Sequence, residues 1–285
     1  MATLVELDGD EAYPEALTIG PDGNIYSGSF CTGDIWRITP AGELETWISE
    51  GINSVSGMAF APDGSLYVVD HGDCNPSRAN TSLKRVAPDG TVSPFAEVSD
   101  DTVLNGLTFD DQGRLYATDT QNGEVLVFDE AGQSRVWWEL ASNDQEARPT
   151  GIEFDAVHNA LVIADSNNGV VYRVALLEDG SPAQPQILYQ EDQRELDGLT
   201  LDDQGRVIFT LYDSHQIARI DEGNRYTILA ENFREPSDVA FLDGRIYVTN
   251  FDSVSLAPII NIFVSPSLPF TIDVLDTRAE AASLP

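Results

Sequence analysis

The chain has 285 residues, of which 48 are acidic and 15 basic, giving a formal net charge of −33. Such a surface repels nucleic acid and anionic membrane and excludes both as partners, and no apolar run is long enough to span a bilayer. Salt would screen the self-repulsion, so a salt-adapted protein and a merely soluble acidic one are both compatible with this composition.

The chain opens on an acidic stretch without a basic residue, Met1 to Pro14, the opposite of a secretory leader. A cytoplasmic protein is therefore expected. Within that stretch Thr3–Leu7 reads as a strand that has no repeat of its own.

From residue 15 onward one short pattern recurs six times. Its copies begin at Glu15, Ser56, Asn105, Thr150, Asp197 and Ser237. Most copies run into a turn such as Pro21-Asp22-Gly23 and then a second apolar run such as Arg114 to Asp119. Short strands in repeats of roughly 40–50 residues predict an all-β, six-bladed propeller with four-stranded blades. The repeats fill nearly the whole chain, so residues 1–285 are read as one domain. Thr3–Leu7 is then expected to close the ring as the outer strand of the last blade.

Repeat three is expected to hold strands over Leu107–Phe109, Leu115–Thr118, Val125–Phe128 and Ser134–Leu140. Glu139 to Ala147 is the one plausible short turn of helix. After repeat six, Ile259–Val264 and Phe270–Leu275 are both strand-like, and Thr277–Pro285 reads as a loose end. The longest irregular stretch, Asp70–Ser82, is placed to overhang the channel mouth. Cys31 and Cys74 occupy equivalent loops of neighbouring repeats, so a bridge between them is open; two reduced thiols are the default for the expected compartment.

The first strand of a propeller blade lines the central channel, so the six leading residues form a ring at one mouth. All six carry side-chain oxygen. Glu15, Asn105 and Asp197, with Thr150 as ligand or water holder, suit a hard divalent cation such as calcium. The plainer reading is a wet channel lined by polar strand ends. His71 and His215 are candidates for moving protons. Phe30, Tyr212 and Phe251 are candidates for an apolar wall, with Asp119, Asp165 and Asn250 at the same mouth. Arg148, Arg194 and Arg234 precede channel positions and are candidates for gripping an anionic substrate, or for pairing locally with Glu146, Glu195 and Glu235.

The phrases Leu104-Asn105-Gly106-Leu107-Thr108-Phe109-Asp110 and Leu196-Asp197-Gly198-Leu199-Thr200-Leu201-Asp202, each followed by Asp-Gln-Gly-Arg, resemble the SMP-30/gluconolactonase/luciferin-regenerating-like superfamily. The resemblance runs from about Tyr13 to Asn250. It implies a calcium held by a Glu, two Asn and an Asp, matched here by Glu15, Asn105 and Asp197, with Thr150 in place of the second Asn. It also implies hydrolysis of a lactone or related ester, in which Asp197 and Asn105 serve catalysis as well as the metal. Val103-Leu104 stands where sugar-lactone members carry an Arg, which disfavours a sugar-acid lactone. Pro14–Ile38 resembles strictosidine-synthase-like chains, so lyase or condensation chemistry of that or the virginiamycin-lyase-like kind is a rival, as is a non-catalytic ligand-binding propeller. The expected partner in each case is a small molecule, with the chain a monomer or weak oligomer.

Overall fold

The computed structural model describes residues 1–140, 146–256 and 264–278. Six four-stranded antiparallel sheets stand around a central channel. Their innermost strands are Pro14–Ile19, Val55–Phe60, Leu104–Phe109, Pro149–Asp155, Leu196–Leu201 and Val239–Leu242. Each innermost strand touches the next, and the sixth touches the first, so the ring is closed.

Closure occurs as the sequence predicts. Ala2–Leu7 pairs with Phe270–Asp276 as the outer strand of blade six, with Leu7 opposite Phe270. Of the two strand-like tail segments, Phe270–Leu275 is therefore the blade strand. Ile259–Val264 lies almost wholly outside the described residues, as do the centre of Glu139–Ala147 and the end of Thr277–Pro285. Blade three holds Leu104–Phe109, Leu115–Asp119, Glu124–Phe128 and Ser134–Glu139, close to the expected spans. Ser253–Leu256 forms a single 3-10 turn.

The core lies between blades, where flat sheet faces stack. Ile35, Val55, Leu66 and Val68 are fully buried where blades one and two meet. Burying each such side chain contributes about 1.5–3 kcal/mol, and second strands such as Ala160–Asp165 and Val207–Leu211 are accordingly apolar on both faces. Near the channel the blades converge too closely for side chains. A Cβ on Gly106 would lie 2.5 Å from the Thr150 carbonyl oxygen, and one on Gly151 would lie 2.5 Å from that of Asp197. The position after the leading residue is therefore Gly in four blades and Ala in a fifth, and any larger residue in that row has to find room in the channel itself.

A second periodic device sets the height of the leading residues. Asp119 ends the second strand of blade three, and its Oδ1 accepts the N–H groups of Val103 (3.1 Å), Gln121 (3.1 Å) and Asn122 (3.2 Å). Asp70 does the same for Asn53, Ser54 and Gly72, and Asp165 for Arg148 and Asn168. In blade six Asn250 Oδ1 accepts the N–H of Arg234 at 2.8 Å. These residues latch the loop entering each inner strand. This corrects the expectation of Asp119, Asp165 and Asn250 as mouth groups: their side-chain oxygens are spent on backbone N–H groups and, for the two aspartates, on the side-chain amides of Asn122 and Asn168.

Cys31 and Cys74 are joined by a disulfide with their Cα atoms 4.4 Å apart. This corrects the default of two free thiols. It also ties the Asp70–Ser82 loop to blade one. No helix of the described residues is long and apolar enough to cross a membrane.

Candidate functional site

Two cavities meet at the ring of leading residues. One, about 330 Å³, is the channel below it; the other, about 320 Å³, is the mouth above it. Glu15, Asn105 and Asp197 line both, so the expected triad forms the floor of the mouth.

The floor is chemically bare. Glu15 is 8% exposed, and its Oε2 is buried without a hydrogen-bond partner. Burial, reinforced by the charges of Asp197 and Asp238, pushes its carboxyl well above the usual range, while Arg148 opposes the shift. Asp197 is pushed up to about 8 by burial and then by Asp238, again opposed by Arg148. Two facing carboxylates with an oxygen left unsatisfied are the situation a cation relieves. The donors are all oxygens, which fits calcium better than zinc. Among the described residues no three His, Cys, Asp or Glu converge closely enough to hold an ion by themselves; Asn105 adds an amide oxygen to the same floor. Thr150 lines the mouth as well, and its hydroxyl donates to the carbonyl oxygens of Asp197 (3.2 Å) and Leu196 (3.4 Å).

The walls of the mouth bring together most of the remaining candidates. Phe30, His71, Arg148, Tyr212 and Phe251 all line it. Phe30 contacts His71 at a ring separation of 4.9 Å and Phe251 at 5.6 Å. The Tyr212 hydroxyl bonds the Ser253 hydroxyl, and burial, helped by Glu235, holds its pKa well above the ordinary phenol value. His71 is 5% exposed and its Nδ1 lies 3.0 Å from the Asp73 carbonyl oxygen. A carbonyl only accepts, so Nδ1 carries the proton and Nε2 is the basic nitrogen. Burial lowers the His71 pKa, against opposition from Asp73 and Asp70, and keeps the ring neutral.

Three candidates do not reach the mouth. His215 is exposed, at φ +59°, and its Nδ1 accepts the Glu235 N–H. Arg194 pairs with Glu191 (3.4 Å) and Asp213 (3.8 Å). Arg234 donates to the Pro269 carbonyl (2.8 Å) and pairs with Asp252 (3.5 Å), securing the approach to the last strand. Both arginines are thus locally paired, though not with the acids expected, and only Arg148 of the three lines the mouth.

Sequence reasoning missed two channel carboxylates, Glu153 and Asp238. Burial pushes Glu153 up to about 8, with help from Asp238, and burial likewise holds Asp238 at about 7 despite N–H donation from Leu17 and Val239. The signal was in the repeat. Glu153 stands where the other copies have Thr or Ala, and Asp238 where they have Gly or Ala.

The comparisons agree with this architecture. The pattern of the SMP-30/Gluconolactonase/LRE-like region matches residues 77–251, more than half of the chain, and the chain belongs to that family. The strictosidine synthase-like N-terminal pattern matches residues 1–38. No curated protein sequence matches the chain. Among solved structures it is similar to a gluconolactonase from Xanthomonas campestris (14% identity, 88% of this chain and 86% of that one, TM-score 0.68). It is similar also to a luciferin-regenerating enzyme (14%, 93% and 91%, 0.69) and to virginiamycin B lyase from Staphylococcus aureus (16%, 86% and 80%, 0.64). At these identities the likeness is one of fold.

Proposed function

We propose that the chain is a divalent-cation-dependent hydrolase of a lactone or related ester, working at the mouth of the channel with Glu15, Asn105 and Asp197 as the cation's protein ligands. The observation that carries this reading is the unpartnered Glu15 Oε2 facing a second carboxylate on the floor of an open cavity. Family membership supports it. A bound cation, calcium by the donor set, supplies a Lewis acid for the substrate carbonyl and its developing oxyanion.

The chain's own residues do the rest. Asp197 orients the attacking water through its carboxylate. His71 Nε2, unprotonated at neutral pH, accepts a proton from that water and returns it to the leaving oxygen. Phe30, Tyr212 and Phe251 exclude bulk water from one side of the mouth. A second reading, elimination rather than hydrolysis, draws on the same neutral His71 as the base. The test is calorimetric titration of calcium into metal-stripped protein, followed by a lactone and ester screen. Micromolar binding abolished in both Glu15→Ala and Asp197→Ala is expected; binding indifferent to both would leave only a wet channel.

A further inference from the structure

The mouth is not evenly lined. Blades one and four face each other across a ring of six. Phe30 stands on blade one, flanked by His71 of blade two and Phe251 of blade six in direct ring contact. Opposite them, on blade four, stands Arg148. The cavity therefore has an aromatic arc on one side, a cationic group on the other, and the carboxylate floor between them.

Arg148 is the one arginine among the described residues lining this mouth. Acids outnumber bases 48 to 15, and arginines such as Arg114, Arg173, Arg206 and Arg219 are held by an aspartate. Among the described residues Arg148 has no ion pair, as is true also of Arg78, Arg135 and Arg225, but of these four only Arg148 lines the mouth. Glu195 lines the same mouth from blade five without pairing with it. The backbone on either side of Arg148 is fixed, its N–H by Asp165 Oδ1 at 3.0 Å and its carbonyl by the Ser166 N–H at 2.9 Å, so the side chain is presented from a rigid base. If the floor carries a divalent cation, that cation balances Glu15 and Asp197, and the guanidinium keeps a full charge with its five donors uncommitted among the described residues.

We propose that Arg148 is a specificity-determining residue, and that the mouth selects a substrate with a carboxylate at one end, an apolar or aromatic group at the other and the reacting carbonyl between. The carboxylate docks on Arg148, and the apolar end lies against Phe30 and Phe251. The charge argument rests on the cation-dependent reading given above, but recognition itself is measurable without turnover.

The probe pair is 3-phenylpropionate and its neutral isostere 3-phenylpropanamide, titrated into calcium-loaded protein by calorimetry. The acid is expected to bind at least tenfold more tightly than the amide. Arg148→Gln should bring the acid down to the amide's affinity, and Arg148→Lys should restore part of the difference while circular dichroism stays unchanged. Equal affinities for acid and amide in the unaltered protein, absence of binding by either, or an acid affinity that Arg148→Gln leaves intact would each overturn the proposal. Failure of the hydrolase reading shows separately, as acid binding that persists in a protein that opens no lactone or ester.

Discussion

The rim and the channel of this propeller use carboxylates in opposite ways. At the rim, Asp70, Asp119 and Asp165 are buried and saturated, each accepting several backbone N–H groups. In the channel, Glu15 keeps an oxygen with no partner at all, and Asp197, Asp238 and Glu153 are held above the ordinary carboxylate range by burial before any other cause. A saturated buried acid stabilises the fold; an unsaturated one costs stability unless something else is bound. The rim therefore reads as scaffold and the channel as site, and substitutions in the two regions should move stability in opposite directions.

The largest effects belong to the rim. The Cys31–Cys74 bridge closes a loop with a sequence separation of 43. Removing it with Cys31→Ser and Cys74→Ser should cost about 2–4 kcal/mol, read by urea denaturation with and without reductant. Asp119→Ala strands the N–H groups of Val103, Gln121 and Asn122 and one side-chain amide. The expected loss is about 3 kcal/mol, again by denaturation, and a neutral result would remove the distinction between the two regions.

The channel should answer differently. Asp197→Ala is expected to weaken calcium at least a hundredfold, about 2.7 kcal/mol, while leaving the metal-free protein as stable as before or more so. A smaller effect should appear with pH. Glu153 titrates near 8 in the folded chain, above its usual value of 4.5. Between these values the folded state holds a proton that the unfolded state has released, so metal-free stability is full below about pH 4.5 and declines as pH rises through about 8. Because Glu153 is only half-buried where it meets the channel, solvent screening limits the decline to about 1–2 kcal/mol. Thermal melts across that range should show it in the unaltered protein and show less of it in Glu153→Gln.

Much of this was legible in the sequence because a propeller repeats its constraints. The row of Gly after each leading residue reports the close approach of neighbouring strands, and Ala2–Leu7 betrays its role by belonging to no repeat. Glu15, Asn105 and Asp197 were found by asking which position varies. The same question asked one and three residues further along would have found Asp238 and Glu153. The latches were misread for a different reason. Asp119 and Asp165 recur at strand ends in the manner of exposed mouth groups, and only the folded backbone shows that the N–H groups of an entering loop converge on them. Pairing across blades, such as Cys31 with Cys74, depends on loop paths that no local pattern encodes.

The arginines give the finest form of the comparison. Arg194 and Arg148 occupy similar places in the repeat, each two or three residues before a channel position, and the sequence treats them alike. In the fold Arg194 is spent on Glu191, Asp213 and the Ser214 hydroxyl. Its side chain is 32% exposed, so those pairs are worth little, under about 1 kcal/mol. Arg194→Ala should therefore change neither stability beyond that amount nor the binding of 3-phenylpropionate by more than about twofold, which calorimetry with the Arg148 variants alongside would resolve. A loss of acid binding in Arg194→Ala equal to that in Arg148→Gln would mean that the mouth reads charge as a diffuse field rather than at one docking point. An unchanged affinity would place recognition on Arg148, the one of the three candidate arginines that lines the mouth and has no acid partner among the described residues.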